Sequence, residues 1–256
     1  MDIIIPTNYR PHRLITTLTS LYLQKLNGKN NLILVTNGKK NVLKIKQIKK
    51  LIKAFKRKGY TVTCKTTKQK SISRIKKYAL KFAKQETIVL MDNDILFTRC
   101  DTLKTLEKIL KIYDIGCISP LGYELDNEHP VLNDFKHRYN SVKYDVNGVG
   151  EGKIALGFLL VIKRSDLKKN IKYWCNDLPY MEDQILVHFL KKNHGYAYLK
   201  NHMVYHIAYR EKPKYVFNNI EIINYLGKKG PEFKDLLNLR KKHKDGADFD
   251  KGVLQI

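Results

Sequence analysis

Apolar residues in the first 95 positions follow two alternating patterns. Short runs rich in β-branched residues, each bounded by polar or turn residues, predict buried strands. These runs lie at 2–6, 32–35, 60–64 and 87–91. Between them, apolar residues recur every three or four positions and predict helices. The helices are predicted to begin at Pro11 and to span 42–58 and 72–83. Because strands alternate with helices, we expect right-handed crossovers and an α/β domain with a largely parallel sheet.

The pattern is less regular after residue 95. A helix is predicted after Asp101, which can cap it. The segment 121–152 is polar and rich in turn residues, and a loop of that length inside a compact domain is usually functional or mobile. The other predicted elements are strands at 115–119, 154–162, 196–199 and 203–207, a helix at 182–192, and a basic, mostly helical segment over the last fifty residues.

The composition is that of a globular protein. Hydrophobic residues make up 43% of the 256 residues and charged residues 29%, which argues against intrinsic disorder. The longest apolar run, 158–162, is too short to cross a bilayer, and the first residues lack the basic region of a signal peptide. The four cysteines are widely spaced, so we expect reduced, mostly buried thiols and a cytoplasmic setting.

The charge is unusual, because the formal net charge is +25. Residues 39–85 contain 18 lysines and arginines and no acidic residue. Such a surface attracts nucleic acid, an anionic membrane face or acidic glycans, and it can also serve only to keep the protein in solution. The sequence has no zinc module, no aromatic pattern of an RNA-recognition motif and no helix-turn-helix, which disfavours a dedicated nucleic-acid-binding protein.

Two carboxylates stand one residue apart at the end of the fourth predicted strand, in Asp92-Asn93-Asp94. Ligands of parallel sheets bind beyond the carboxyl ends of the strands. Two carboxylates held that close repel each other unless a positive charge lies beside them, and a hard divalent cation with a phosphate-bearing substrate satisfies this need. When such a pair stands alone after a strand, a turn is the more common explanation.

Other motifs join this pair in a recognisable order. They are Ile4-Ile5-Pro6-Thr7, Leu34-Val35-Thr36-Asn37-Gly38, Glu182-Asp183 at the start of a predicted helix, Gly195-Tyr196, and Val204-Tyr205-His206. With Asp92-Asn93-Asp94, this order resembles the family 2 glycosyltransferases of GT-A fold over residues 1–207. The resemblance implies a Rossmann-like, mostly parallel central sheet flanked by helices, with a smaller acceptor-side sheet region. It divides the domain into a nucleotide-binding half, 1–98, and an acceptor-binding half, 99–207, followed by a basic extension, 208–256.

The resemblance also implies roles for the motif residues. Asp92 and Asn93 would contact the nucleotide, with Asp92 facing the ribose, and Asp94 would bind Mn²⁺ or Mg²⁺ in a DxD motif to which Asp92 also contributes. His206 would join the metal or the diphosphate, although a lone histidine at the end of an apolar strand is more often structural. Carboxylates and diphosphate oxygens are ligands that such hard cations prefer.

The pair Glu182-Asp183 matches the position of the catalytic base in inverting members. A sugar hydroxyl must lose a proton as it attacks, and a carboxylate at a helix N-terminus stays ionised and oriented. The alternative is that both acids only cap the helix. We expect Asp183 to be the base, with Glu182 as its neighbour.

The remaining implied contacts concern the nucleotide sugar. Pro6, Thr7 and Asn37 would line the base and ribose, and Gly157 would let the backbone approach the donor sugar. The sequence departs from the family where the second strand usually ends in Asp and where the third helix usually carries an Arg-Asn pair. Arg74 or Lys76 would take that place by approaching the phosphates or the base. Because of these departures the sequence does not determine the identity of the nucleotide, and UDP is the default.

The sequence therefore predicts a metal-dependent, inverting glycosyltransferase of hexosyltransferase type. It would use a nucleotide sugar and a hydroxyl acceptor on a glycan, lipid or protein, and it would lie in the cytoplasm, either free or peripherally against an anionic membrane. A GT-A-like nucleotidyltransferase is the first alternative, but Asn8-Tyr9-Arg10-Pro11 lacks the glycines of a phosphate loop. A basic nucleic-acid-binding protein without catalysis is the second.

Overall fold

A computed structural model describes residues 1–7, 10–37, 41–69, 71–124, 143–151, 157–173, 186–187, 189–190 and 195–207. Of the predicted helix at 182–192, residues 186–187 and 189–190 are described and are helical. The basic extension 208–256 lies outside these ranges and stays a prediction. No helix within the described ranges is long and apolar enough to cross a membrane.

The first half alternates strands and helices as predicted. Its strands are β1 (Asp2–Thr7), β2 (Asn31–Asn37), β3 (Thr61–Thr67) and β4 (Thr87–Met91), and its helices are α1 (Pro11–Tyr22), α2 (Lys46–Arg57) and α3 (Ile72–Leu80). Strand β1 pairs in parallel with both β2 and β4, and β2 pairs in parallel with β3. Strands β1, β2 and β4 are buried almost throughout, whereas β3 lies at the edge of the sheet and is largely exposed.

One helix of this half begins later than predicted. Residues Val42–Lys44 form a 3-10 turn, in which the Asn41 side chain accepts a hydrogen bond from the Leu43 N–H. Ile45 is then extended, with φ −66° and ψ 135°, and α2 starts only at Lys46. The apolar spacing continues through this break, which is why the sequence predicts a single helix. The end is as expected, because Gly59 adopts a positive φ of 92°.

The second half completes one mixed sheet. Its elements are β5 (Ile95–Phe97), α4 (Thr102–Ile112), β6 (Cys117–Glu124), β7 (Val149–Glu151), β8 (Leu159–Lys163), α5 (Arg164–Asn170), a 3-10 turn (Ile171–Tyr173) and β9 (Tyr196–His206). The strand order across the described part of the sheet is β3-β2-β1-β4-β8-β6-β9-β5, and β7 pairs with β9. The fold class is α/β with a central sheet and flanking helices, as the sequence predicts.

Two predictions in this half are wrong in detail, and two short elements escape prediction. Segment 121–152 is not loop throughout, because β6 continues to Glu124 and β7 occupies Val149–Glu151. Strand β5 and helix α5 are too short to give a periodic signal and were not predicted. The two short strands at 196–199 and 203–207 are one strand, β9. Its register shifts where Leu199 pairs with Pro120 and Met203 with Leu121, so the polar residues 200–202 form a bulge.

The cysteines are less buried than expected. Cys117 is buried, but Cys64 on the edge strand β3 and Cys100 are exposed. Burial of Cys117 keeps its pKa above the usual range, so this thiol stays protonated. Cys175 lies outside the described residues.

Candidate functional site

Asp92, Asn93 and Asp94 follow β4 directly, at the carboxyl edge of the parallel strands. The backbone N–H of Asp92 donates to the carbonyl of Phe158 at 2.8 Å, which continues the β4–β8 pairing. The carbonyl of Asp94 accepts from the N–H of Ile207 at 2.8 Å. The segment is therefore fixed by backbone contacts to β8 on one side and to the end of β9 on the other.

Helix α1 presents a buried polar stripe to this segment. Arg13, Thr17 and Ser20 lie at positions i, i+4 and i+7 and are all buried. Thr17 Oγ1 accepts from the Ile95 N–H at 2.9 Å, and Ser20 Oγ donates to the Ile95 carbonyl at 3.3 Å. Arg13 Nη1 donates to Asp94 Oδ2 at 3.2 Å. These three side chains satisfy polar groups that would otherwise be buried without partners at the start of β5.

Asp92, Asp94 and His206 converge on one place. Each offers a ligand atom, and these atoms lie within 4.8 Å of one another. His206 Nε2 lies 3.2 Å from Asp94 Oδ1, but within the described part of the chain this buried oxygen has no donor with hydrogen-bond geometry. A buried carboxylate oxygen without a hydrogen bond, facing an imidazole and a second carboxylate, fits the donor set of a divalent cation.

Two buried cations face the same carboxylates. Lys76 Nζ, from α3, lies 3.5 Å from Asp92 Oδ1, and Arg13 lies against Asp94. Burial favours the neutral form of Asp94, but the contacts with His206 and Arg13 outweigh that effect and hold the pKa of Asp94 below its ordinary value. Asp94 is therefore a carboxylate near neutral pH, as a metal ligand must be.

Phe158 fixes the orientation of His206. The two rings stack with centroids 5.5 Å apart and planes inclined by 20°. The tip of the Phe158 ring also reaches Gly122, where a Cβ would come within 1.8 Å of Cζ. Only glycine at position 122 leaves room for the ring, so Gly122, Phe158 and His206 form one packed unit that joins β6, β8 and β9.

The other residues predicted from the sequence have different placements. Thr7 ends β1 beside the cluster, and its Oγ1 accepts from the Asn93 side chain at 3.4 Å. Pro6 precedes it in the same buried strand. Gly157 is half-buried and directly precedes Phe158. Asn37 ends β2, and its side chain donates to the Gln69 carbonyl at 3.3 Å.

The two basic candidates on α3 differ in burial and in their distance from the acidic cluster. Lys76 is only 2% exposed and reaches Asp92, whereas Arg74 lies on the exposed side of the helix. Glu182 and Asp183 lie outside the described residues.

Three residues of the site, Arg13, Gly122 and Phe158, were not predicted from the sequence. The sequence feature that could have indicated burial of Arg13 is its position beside the apolar stripe of α1, at helical spacing from Thr17 and Ser20.

Comparison with known proteins identifies the fold. No protein-family profile and no curated protein sequence matches the chain. Solved structures do match. S. aureus TarS 1-349 is 15% identical with a TM-score of 0.65, and the match covers 95% of this chain and 70% of that one. The mannosyltransferase PcManGT from Pyrobaculum calidifontis, in complex with GDP-Man and Mn²⁺, is 16% identical with a TM-score of 0.65, covering 99% and 72%.

A third structure, GalNAc-T7 with UDP, GalNAc and Mn²⁺, is 12% identical with a TM-score of 0.63, and the match covers 98% of this chain and 53% of that one. All three are glycosyltransferases of GT-A fold. At such low identity the likeness shows the fold, and the fold is the one that the order of motifs predicts.

Proposed function

We propose that this GT-A chain is a metal-dependent glycosyltransferase that transfers a sugar from a nucleotide diphosphate to a hydroxyl acceptor. The observation that carries the proposal is the cluster of Asp92, Asp94 and His206, in which a buried Asp94 oxygen lacks a hydrogen-bond donor among the described residues. Two of the structures with this fold, PcManGT and GalNAc-T7, were solved with Mn²⁺ and a nucleotide or nucleotide sugar.

Asp94 Oδ1, His206 Nε2 and an Asp92 oxygen would hold Mn²⁺ or Mg²⁺. The metal would neutralise charge on the departing nucleotide diphosphate. The protein residues prepare this site in advance. Arg13 keeps Asp94 ionised and oriented, and Phe158 holds the His206 ring, so little reorganisation is needed when the substrate binds.

The nucleotide would lie along the carboxyl ends of β1 and β2. Pro6 and Thr7 would contact it from β1 and Asn37 from β2, with Asn93 held beside Thr7 and Asp92 facing the ribose. Gly157 would give the donor sugar room beside β8. Lys76, and Arg74 from its more exposed position, would approach the phosphates or the base, and UDP is the default nucleotide.

Asp183 would act as the base that takes the proton from the acceptor hydroxyl, with Glu182 beside it, in an inverting transfer of a hexosyl group. The acceptor would be a glycan, a lipid or a protein. Since these two residues lie outside the described ranges, their roles rest on the sequence motif alone.

A basic surface would place the enzyme against an anionic membrane that carries a lipid-linked acceptor. The exposed side of α2 carries only basic charges, including Lys49, Lys53 and Lys56, while Ile48 and Phe55 pack into the core. Clustered lysines are attracted to anionic lipid headgroups, by about 1 kcal/mol for each residue near the surface.

A binding and turnover screen tests the proposal. The protein is titrated with a panel of nucleotide sugars in the presence of Mn²⁺, and slow hydrolysis is followed. We expect Asp94→Asn to lose metal-dependent binding and Asp183→Asn to bind but not turn over. Asp101→Asn, which removes a partly exposed acid outside the cluster, should behave as the parent does. Unchanged binding and turnover in both site variants, or no nucleotide binding by the parent protein, would contradict the assignment.

A further inference from the structure

Two positive side chains are built into the candidate metal site. Arg13 is 8% exposed and Lys76 is 2% exposed, and they lie 3.2 Å from Asp94 and 3.5 Å from Asp92. They come from different helices, α1 and α3. A buried lysine is uncommon unless it is paired, so Lys76 is held there by a specific partner.

Among the described residues of this site, the formal charges balance without any bound ion. Two carboxylates face one guanidinium and one ammonium group, and His206 contributes no charge when it is neutral. A divalent cation entering alone would raise the net charge to +2 in a largely buried place, within a few ångströms of Arg13 and Lys76. Charge repulsion in such surroundings is screened far less than in water.

A nucleotide diphosphate changes this balance. It brings two or three negative charges, so the group with metal and diphosphate bound returns to a net charge of about zero or −1. Charge-assisted bonds from arginine and lysine to phosphate oxygens are strong and require only that the side chains reach. The same two cations therefore oppose the metal alone and favour the metal together with a diphosphate.

We infer that Arg13 and Lys76 are resident counter-ions that couple metal binding to diphosphate binding. In the empty site they neutralise Asp94 and Asp92. They keep a lone divalent cation weakly bound, and they stabilise the complex once metal and diphosphate are both present. The inference rests on the proposed function, since it takes the ligand to be a nucleoside diphosphate with a divalent metal.

The test is a thermodynamic cycle on the chain of 256 residues. Mn²⁺ affinity is measured by electron paramagnetic resonance with and without UDP, and UDP affinity by calorimetry with and without Mn²⁺, with GDP in a parallel series. The two routes around the cycle must give the same coupling factor. We expect each ligand to raise the affinity of the other by about tenfold or more, because charges a few ångströms apart interact strongly at a dielectric constant between those of water and dry protein.

Lys76→Met and Arg13→Met remove the counter-ions one at a time. Each is expected to raise the affinity for Mn²⁺ alone, to lower the affinity for UDP in the presence of Mn²⁺, and to reduce the coupling factor by about tenfold. Lys81→Met removes an exposed charge at the end of the same helix as Lys76 and should leave all three quantities unchanged. Circular dichroism establishes that each variant is folded, and either site variant suffices if the other does not fold.

The expected rise in affinity for Mn²⁺ alone and fall in affinity for UDP with Mn²⁺ distinguish this role from a purely structural one. If Lys76→Met weakens Mn²⁺ alone and Mn²⁺ with UDP to the same degree, the lysine only supports the site and the inference is wrong. Parent protein that binds Mn²⁺ and nucleotide independently would also overturn it, without touching the proposed function. Parent protein that binds neither nucleotide would overturn both.

Discussion

Gly122 is a residue at which an added methyl group has a defined consequence. Alanine there would place its Cβ within 1.8 Å of the Phe158 ring, so the ring must move and its stacking on His206 must change. We expect Gly122→Ala to lower the free energy of unfolding by about 1–3 kcal/mol through overpacking. Urea denaturation measures this loss, and Mn²⁺ titration should show weaker binding.

A second substitution tests whether the ring causes the effect. Phe158→Leu removes most of the ring, and in its presence Gly122→Ala should cost much less, giving a favourable coupling energy in the double-mutant cycle. Additive losses would mean that the glycine matters for another reason.

His202 makes the stability depend on pH. It is buried in the β9 bulge, with Nδ1 3.3 Å from Thr102 Oγ1. Burial first, and then the charge of Arg99, lower the pKa of His202, and Asp101 opposes them only in part. The folded protein therefore binds this proton less readily than the unfolded chain, whose histidine titrates near pH 6.5. The contribution of His202 is complete above that pH and is lost as the pH falls below it.

We expect the parent protein to lose more stability than His202→Gln between pH 7.5 and pH 5.5. Urea unfolding at both values gives the comparison. An identical loss in the two proteins would show that His202 does not carry the effect.

At the residue scale, the sequence predicts the acidic motif and His206 because strand ends and motif order place them. Arg13 escapes prediction because an arginine next to an apolar helical stripe is normally on the solvent side. Its burial depends on Asp94, about eighty positions later, and periodicity carries no information on such a pairing.

At the scale of elements, α1 acts as the support of the acidic segment. Thr17 accepts the Ile95 N–H, so Thr17→Val, which keeps the shape, leaves that N–H without its partner. We expect a loss of about 1–3 kcal/mol in the free energy of unfolding, because a buried donor loses its acceptor. Thr19→Val changes an exposed threonine on the same helix and should stay within about 0.5 kcal/mol of the parent. Thermal or urea unfolding of the two variants compares them, and equal losses would contradict this role.

The elements of the first half are predicted well because each strand and helix has its own period. Strand β9 is predicted as two because residues 200–202 interrupt its apolar pattern. The interruption is a bulge, which the backbone of Lys200 stabilises by donating to the Gly148 carbonyl at 2.8 Å. Tertiary hydrogen bonds of this kind cannot be predicted from the local pattern of apolar residues. The same holds for β5, which is only three residues long and is defined by its pairing with β9.

At the scale of the whole molecule, charge is distributed unevenly along the chain. Between Asp2 and Glu86 the sequence has 22 lysines and arginines and no acidic residue. If the surface of α2 binds anionic lipid, replacing Lys49, Lys53 and Lys56 with glutamine should reduce co-sedimentation with anionic vesicles at low salt by about tenfold or more, at about 1 kcal/mol for each residue. High salt should release the parent protein.

Helix α4 offers a matched control. Lys104, Lys108 and Lys111 have the same spacing and are exposed, so replacing them with glutamine removes the same charge from another surface. Equal losses for the two triple variants, or equal binding of the parent to neutral vesicles, would contradict a specific membrane face.

The position of His206 on the last described strand has a consequence for how the protein is made. His206 lies 112 residues after Asp94 in the sequence. Strand β5, which begins at the residue after Asp94, joins the described sheet only through β9. Contacts between such distant positions form late, because loop closure must precede them. A nascent chain that has emerged only as far as β8 holds both aspartates and Arg13 but has no imidazole to complete the cluster. If the cluster binds a metal ion as proposed, capture of that ion would mark the point at which β9 has joined the described sheet.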